Sequence, residues 1–194
     1  MKELLNLTAA IIAGGKSRRF GTPKALATFG DKTLIEHAIC LANSITSATI
    51  ISTNKENLFE DLNITCVPDI IPDSGPLGGI YSALMYAKTS WVAVLPCDMP
   101  LLTANIYSTL RQHLKQNRPT VAVSGNGIEP LVSIWPKSLA GSLKIALEDK
   151  RFAIYRMLET LNPVKISISE VLPEYFPEMF FNINRREDLE KLVP

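Results

Sequence analysis

Ile11-Ile12-Ala13-Gly14-Gly15-Lys16-Ser17-Arg18-Arg19-Phe20-Gly21-Thr22-Pro23-Lys24 is the stretch that decides how this chain reads. An apolar run from Leu4 to Ile12 breaks at Gly14-Gly15, and Lys16, Arg18, Arg19 and Lys24 follow with no acid among them. Hydrophobicity without alternation marks a strand buried on both faces, as in a parallel sheet. Glycines directly after such a strand permit a tight turn and close backbone approach to a ligand. Strand, turn and cations are the parts of a phosphate-binding loop. From spacing alone, a solvated basic loop between strand and helix is the alternative.

Working outward, Lys24 to Phe29 reads as a short extended piece before a Gly30-Asp31 turn. Thr33 caps a helix to about Asn43, with Leu34, Ala38 and Leu41 on its inner face. Ala48–Thr53 and Ile64–Val67 are strands, Asp69–Gly79 a loop, and Leu77–Ala87 a helix. Trp91–Leu95 is the best candidate for a central strand, and Thr103 starts a helix to about Gln116. Pro119–Val123 and Glu129–Trp135 flank Asn126-Gly127, a hairpin signal. Helices from Pro136 to Glu148 and from Arg151 to Leu161 follow, then a strand at Val164–Ile168. A proline-broken stretch at Val171–Glu178, an extended piece at Phe180–Ile183 and a helix at Arg185–Leu192 finish the reading. Alternating strands and helices, then a hairpin, predict a three-layer α/β fold with a mostly parallel but mixed sheet.

With 194 residues, 46% of them hydrophobic, the chain suits one domain spanning 1–194. A net charge of +1 gives no global field for nucleic acid. Cys40, Cys66 and Cys97 are too few and too scattered for a disulfide framework or a zinc site, which fits a reducing, cytoplasmic setting. No run approaches a membrane span, and the N-terminal residues read as the first strand, not a signal peptide. Trp91 and Trp135 read as core, and His37 and His113 have no partner at metal-ligand spacing.

The opening loop is neither of two familiar phosphate fingerprints. A P-loop requires a glycine where this chain has Ala10, and the dinucleotide motif fails because Gly14 and Gly15 are adjacent. An anion nest remains open, with Arg18 or Arg19 gripping phosphate bidentately and Lys24 acting as a point charge. Asp98, held in Pro96-Cys97-Asp98-Met99-Pro100 at the end of the central strand, sits where open α/β sheets bind ligands. A lone carboxylate beside phosphates suits Mg²⁺; a helix cap or turn residue is the alternative. Asp69 with Gly75-Pro76-Leu77-Gly78-Gly79 reads either as a ligand-approachable helix start, through Gly78, or as an ordinary loop. Asn182 and Asn184, two apart on an extended piece, face the same way and suit a metal-bound water or a phosphate; a helix cap at Asn184 is the alternative.

In this order the motifs resemble the molybdenum cofactor guanylyltransferases, from Ile11 to about Leu189. The family's opening reads approximately Leu-Ala-Gly-Gly-x-Ser-x-Arg-Met-Gly-x-Asp-Lys, against Ile12 to Lys24 here. The resemblance implies a Rossmann-like, GT-A type nucleotidyltransferase fold. It implies transfer of GMP from GTP to the phosphate of molybdenum-molybdopterin, with Mg²⁺ as cofactor and transient contact with other molybdenum cofactor proteins. Carried over by position, Ile12, Ala13, Gly14, Gly15, Lys24, Asp69 and Asp98 bind nucleotide. Asp98 holds the metal, and Lys24 and Arg19 neutralise the leaving group. A family Asn falls near Ser52 or Asn54 and is carried to neither. Phe20 and Ile12 are mild departures, whereas Pro23 replaces the usual Asp, as in related cytidylyl and sugar-nucleotide transferases. A cytidylyl or sugar-phosphate nucleotidyltransferase and a non-catalytic nucleotide-binding protein are the rival readings.

Overall fold

Residues 6–14, 20 and 23–192 are described by the computed structural model. β1 (Leu7–Ile12) is buried at every position and pairs in parallel with β4 (Thr49–Ser52) on one side and β6 (Trp91–Pro96) on the other. β5 (Thr65–Val67) adds in parallel outside β4. Beyond β6 the sheet turns mixed. β8 (Gly127–Pro136) is antiparallel to β6 and to β7 (Thr120–Ser124), and β9 (Val164–Ser167) is parallel to β7. Among the described residues this makes a seven-stranded sheet in the order β5-β4-β1-β6-β8-β7-β9.

Both sheet faces are covered, as the unalternating apolar strands require. Successive side chains of β1 point to opposite sides. Ala9 and Ile11 join one core, with α1 (Leu34–Ile45) and α3 (Ala104–Gln112). Ala10 and Ile12 join the other, with α2 (Gly75–Tyr86), α4 (Ala140–Glu148) and α5 (Ile154–Leu161). The start of α1 is a capping box: the Glu36 amide donates to the Thr33 hydroxyl at 3.4 Å, and the Thr33 amide donates to the Glu36 carboxylate at 2.7 Å. Trp135 is fully buried, with its indole N–H donating to Ser133 Oγ at 2.9 Å. No helix among the described residues is long and apolar enough to cross a membrane.

Several element boundaries differ from the sequence reading. Lys24–Leu26 is a 3₁₀ turn, not extended, because the amides of Leu26 and Ala27 bond back to Pro23 and Lys24. The extended part is confined to β2 (Thr28–Phe29) and β3 (Lys32–Thr33), a small hairpin about Gly30 at φ +63°. α2 starts at Gly75, since a proline in the first turn removes only an amide that had no helical partner. Pro136 ends β8 opposite Trp91, so α4 begins only at Ala140. After β9 comes a short helix, α6 (Ile168–Val171), within the expected strand's end and the proline-broken stretch. Phe180 closes a 3₁₀ turn instead of opening an extended piece, and the last helix, α7, covers only Glu187–Glu190.

Candidate active site

The parallel register makes three strands finish level: Ile12 lies opposite both Ser52 and Pro96. The segments just beyond these ends face one another, outside the carboxyl edge where α/β sheets bind ligands. Two adjoining clefts open there. One, of about 710 Å³, is bordered by Ile12, Ala13, Gly14, Asn54, Asp69, Asp73, Gly75, Pro76 and Gly79, among others. The other, of about 190 Å³, is bordered by Lys24, Asp98, Cys97 and Leu131 and shares Ile12, Ala13, Gly14, Lys55 and Pro76 with the first.

The floor of the larger cleft is backbone. The Ala13 amide donates to the Ser52 carbonyl at 3.0 Å, which continues the β1–β4 ladder one step past the strand. At Gly14 a Cβ would meet nothing within 4 Å, so the backbone there is open to a ligand. At Gly79 a Cβ would stand 2.7 Å from Ser52 Oγ, so the glycine lets α2 dock directly on the end of β4. Gly78 points elsewhere: its Cβ would strike Ser74 Cβ at 2.6 Å, so its smallness serves the packing of the helix start. The glycines of this helix that border a cleft are Gly75 and Gly79, and Gly78 borders neither.

Asn54 and Asp69 close the polar end as a reciprocal pair. Asn54 Nδ2 donates to Asp69 Oδ2, and the Asp69 amide donates to Asn54 Oδ1, both at 2.8 Å. Burial pushes the Asp69 carboxyl up, the Asn54 donor opposes this, and the Asp73 carboxylate pushes it further up. Asp73 stands at φ +54°, in the left-handed region that Asp tolerates better than most residues.

In the smaller cleft, Lys24 Nζ donates to Asp98 Oδ2 at 2.6 Å, with 23% and 19% of the two side chains exposed. The neighbouring Cys97 thiol is pushed up to about 12, by burial first and then by the Asp98 charge, so it stays protonated and is no nucleophile. The Asp98 carbonyl accepts from the Ile183 amide at 2.9 Å, which brings the Asn182-Ile183-Asn184 segment against the site. The two asparagines do not act alike. Asn182 Oδ1 is buried and has no hydrogen-bond partner among the described residues. Asn184 is exposed, and its Nδ2 turns back to the Asn182 carbonyl at 3.4 Å. Asp188 supplies the cap in this segment: its Oδ2 accepts from the amides of Asn184 and Arg185, both at 2.9 Å. Those bonds and the one from Lys191 hold its carboxyl down at about 2, with Lys191 the largest cause.

Among the described residues no group of three or more His, Cys, Asp or Glu side chains could hold a metal by itself. A hard cation that takes one carboxylate and fills its other positions with substrate oxygens and water fits better. For such a cation Asp98 would be the carboxylate, and the unpartnered Asn182 oxygen on the adjoining segment a neutral donor.

Of the residues expected from sequence, Ile12, Ala13, Gly14, Lys24, Asp69 and Asp98 all border these two clefts. Gly15, Lys16, Arg18 and Arg19 lie outside the described residues. Asn54, Lys55 and Asp73 border the clefts without having been assigned. Asn54 and Lys55 follow β4 as Gly14 follows β1 and Asp98 follows β6, so position past a parallel strand is the signal that would have found them. Between the two positions left open for a family Asn, Asn54 is the one in the cleft pair, and the Ser52 hydroxyl lies beneath Gly79.

An open backbone at Gly14 and a lysine–carboxylate pair beside level strand ends suit a nucleotide-handling α/β transferase. The family model of the MobA-like NTP transferase domain matches residues 9–164. A probable molybdenum cofactor guanylyltransferase of Carboxydothermus hydrogenoformans is 36% identical, covering 97% of this chain and 95% of its own. One from Flavobacterium johnsoniae is 33% identical, covering 96% of each chain. Molybdopterin-guanine dinucleotide biosynthesis protein A from Archaeoglobus fulgidus shares the fold, with a TM-score of 0.81 over 95% of both chains at 24% identity. The chain belongs to the MobA-like NTP transferase family and is a nucleotidyltransferase.

Proposed function

We propose that the protein transfers GMP from GTP to the terminal phosphate of molybdenum-bearing molybdopterin, giving the guanine dinucleotide cofactor and pyrophosphate. The observation that carries this reading is the meeting of Ala13–Gly14, the Asn54–Asp69 pair and the Lys24–Asp98 pair in adjoining clefts. The names of the relatives supply the acceptor and the base.

An oxygen of the acceptor phosphate forms the new bond to the α-phosphorus, and the bond from that phosphorus to the β-phosphate bridging oxygen breaks. The nucleophile is already anionic, so no strong general base is needed. Charge repulsion and alignment are the obstacles, and fixed charges and positioning lower them. The open backbone at Gly14 and the Asn54–Asp69 pair hold the nucleoside. Lys24 moves from Asp98 to the phosphates and offsets the charge that builds on the leaving pyrophosphate. Asp98, with Asn182, would hold Mg²⁺, which when bound supplies positive charge against the phosphate oxygens.

A panel of GTP, CTP, ATP and UTP with molybdopterin as acceptor, read by pyrophosphate release, tests the proposal. GTP is expected to be the preferred donor. Preference for CTP would replace guanine with cytosine, and binding without pyrophosphate release would make the protein a non-catalytic carrier.

A further inference from the structure

Lys55 stands where the two clefts meet. The residues that border both are Ile12, Ala13, Gly14, Lys55 and Pro76, and Lys55 is the charged one among them. The compartments on either side differ in chemistry. The larger carries Asn54, Asp69 and Asp73, and the smaller carries Lys24 and Asp98. Two carboxylates repel phosphate, so the acidic compartment suits a nucleoside and the other a phosphate chain. A nucleotide laid across both has one group at the boundary, the α-phosphate that links them.

The backbone of Lys55 is held in place while the residue is exposed. Its amide donates to Thr53 Oγ1 at 3.1 Å. Thr53 is 2% exposed and bonds through its own amide to the Val67 carbonyl at 3.0 Å. On the next residue, the Asn54 side chain is tied to Asp69. Backbone order is thus in place before any ligand arrives, and only side-chain rotamers remain to be restricted on binding.

We infer that Lys55 is a substrate-contacting residue that binds the α-phosphate, the reacting group, and keeps it on the cationic side of the Asp69–Asp73 compartment. This rests on the reading that the joined clefts take a nucleoside triphosphate.

Calorimetric titration of the wild type, Lys55→Ala and Lys55→Arg with guanosine, GMP, GDP and GTP tests it, with thermal melts to confirm an unchanged fold. In Lys55→Ala, GMP, GDP and GTP should each lose about tenfold in affinity, as for one charge-assisted contact, while guanosine is unaffected. Lys55→Arg should recover most of the loss. Equal affinities across the series, a loss shared by guanosine, or a loss confined to GDP and GTP would each overturn the assignment. If the wild type binds another base series instead, the guanine reading fails, and the same four-member series in that base decides on Lys55. If it binds no nucleotide, both fail.

Discussion

Lys24 Nζ lies 2.6 Å from Asp98 Oδ2, so the cation proposed for phosphate and the carboxylate proposed for metal neutralise each other. Either partner alone would be a poorly solvated charge at the base of a cleft. In the proposed reaction, phosphates and a cation would have to separate this pair. Replacing Lys24 with Met should raise the affinity of the nucleotide-free protein for Mn²⁺, measured by electron paramagnetic resonance. An unchanged or weaker affinity would show that Lys24 does not compete for Asp98.

Asp98→Ala should lower transfer by about 10²-fold or more, as does loss of other groups that stabilise transition-state charge, while leaving the fold intact. Lys24→Ala should weaken triphosphate binding and turnover together. Steady-state kinetics with circular dichroism separates both from misfolding, and retained transfer in Asp98→Ala would remove that residue from the metal role.

Asn54→Ala deletes both bonds of the pair with Asp69 and should destabilise the protein by about 1–2 kcal/mol in denaturant titrations. Burial of Asp69, opposed by the Asn54 bond, also sets a pH dependence. A folded carboxyl raised above its ordinary 3.8 holds its proton more tightly than the unfolded chain does. The stability linked to Asp69 is then full below that value and declines as pH rises through the folded value. Asp69→Asn removes the titration, so the melting temperature of the variant relative to wild type should increase as pH rises from 3.8. A difference that stays flat or falls would contradict the direction assigned to Asp69.

Gly79→Ala places a Cβ 2.7 Å from Ser52 Oγ and should destabilise by about 1–3 kcal/mol, as overpacking does. Adding Ser52→Ala removes that oxygen, after which the next neighbour is Ile12 Cδ1 at 3.5 Å, and should recover most of the loss. Additive losses in the double variant would place the strain elsewhere.

Thr33→Ala removes the hydroxyl that accepts from the Glu36 amide and should cost about 1 kcal/mol in thermal or chemical unfolding. No change would show that the Glu36 bond to the Thr33 amide suffices for the cap.

The sheet was legible where strands are buried on both faces. β1 and β6 are continuous apolar runs, and no other element could hide them. α1 was legible from Thr33, which sits at the start of an apolar helical period. The β2–β3 hairpin was not, because two-residue strands carry no period to read. Gly78 and Gly79 are neighbours in sequence, but they differ by a third of a helical turn, and only the docking of α2 on Ser52 tells them apart. The docking of the Asn182–Asn184 segment on the site was not legible, because the Ile183 amide finds its partner, the Asp98 carbonyl, far away in sequence. Asn54 and Lys55 escaped for the same reason. Nothing local marks them, and their place follows from three strands ending level.

The two halves of the site differ in how far the chain must travel to build them. Asn54 meets Asp69 across 15 positions, whereas Lys24 meets Asp98 across 74, and Ile183 must then return to seal the Asp98 carbonyl. Closing a longer loop has a larger entropic penalty and comes later in folding. On the logarithmic dependence of closure entropy on loop length, joining Lys24 to Asp98 costs about 1.4 kcal/mol more than joining Asn54 to Asp69.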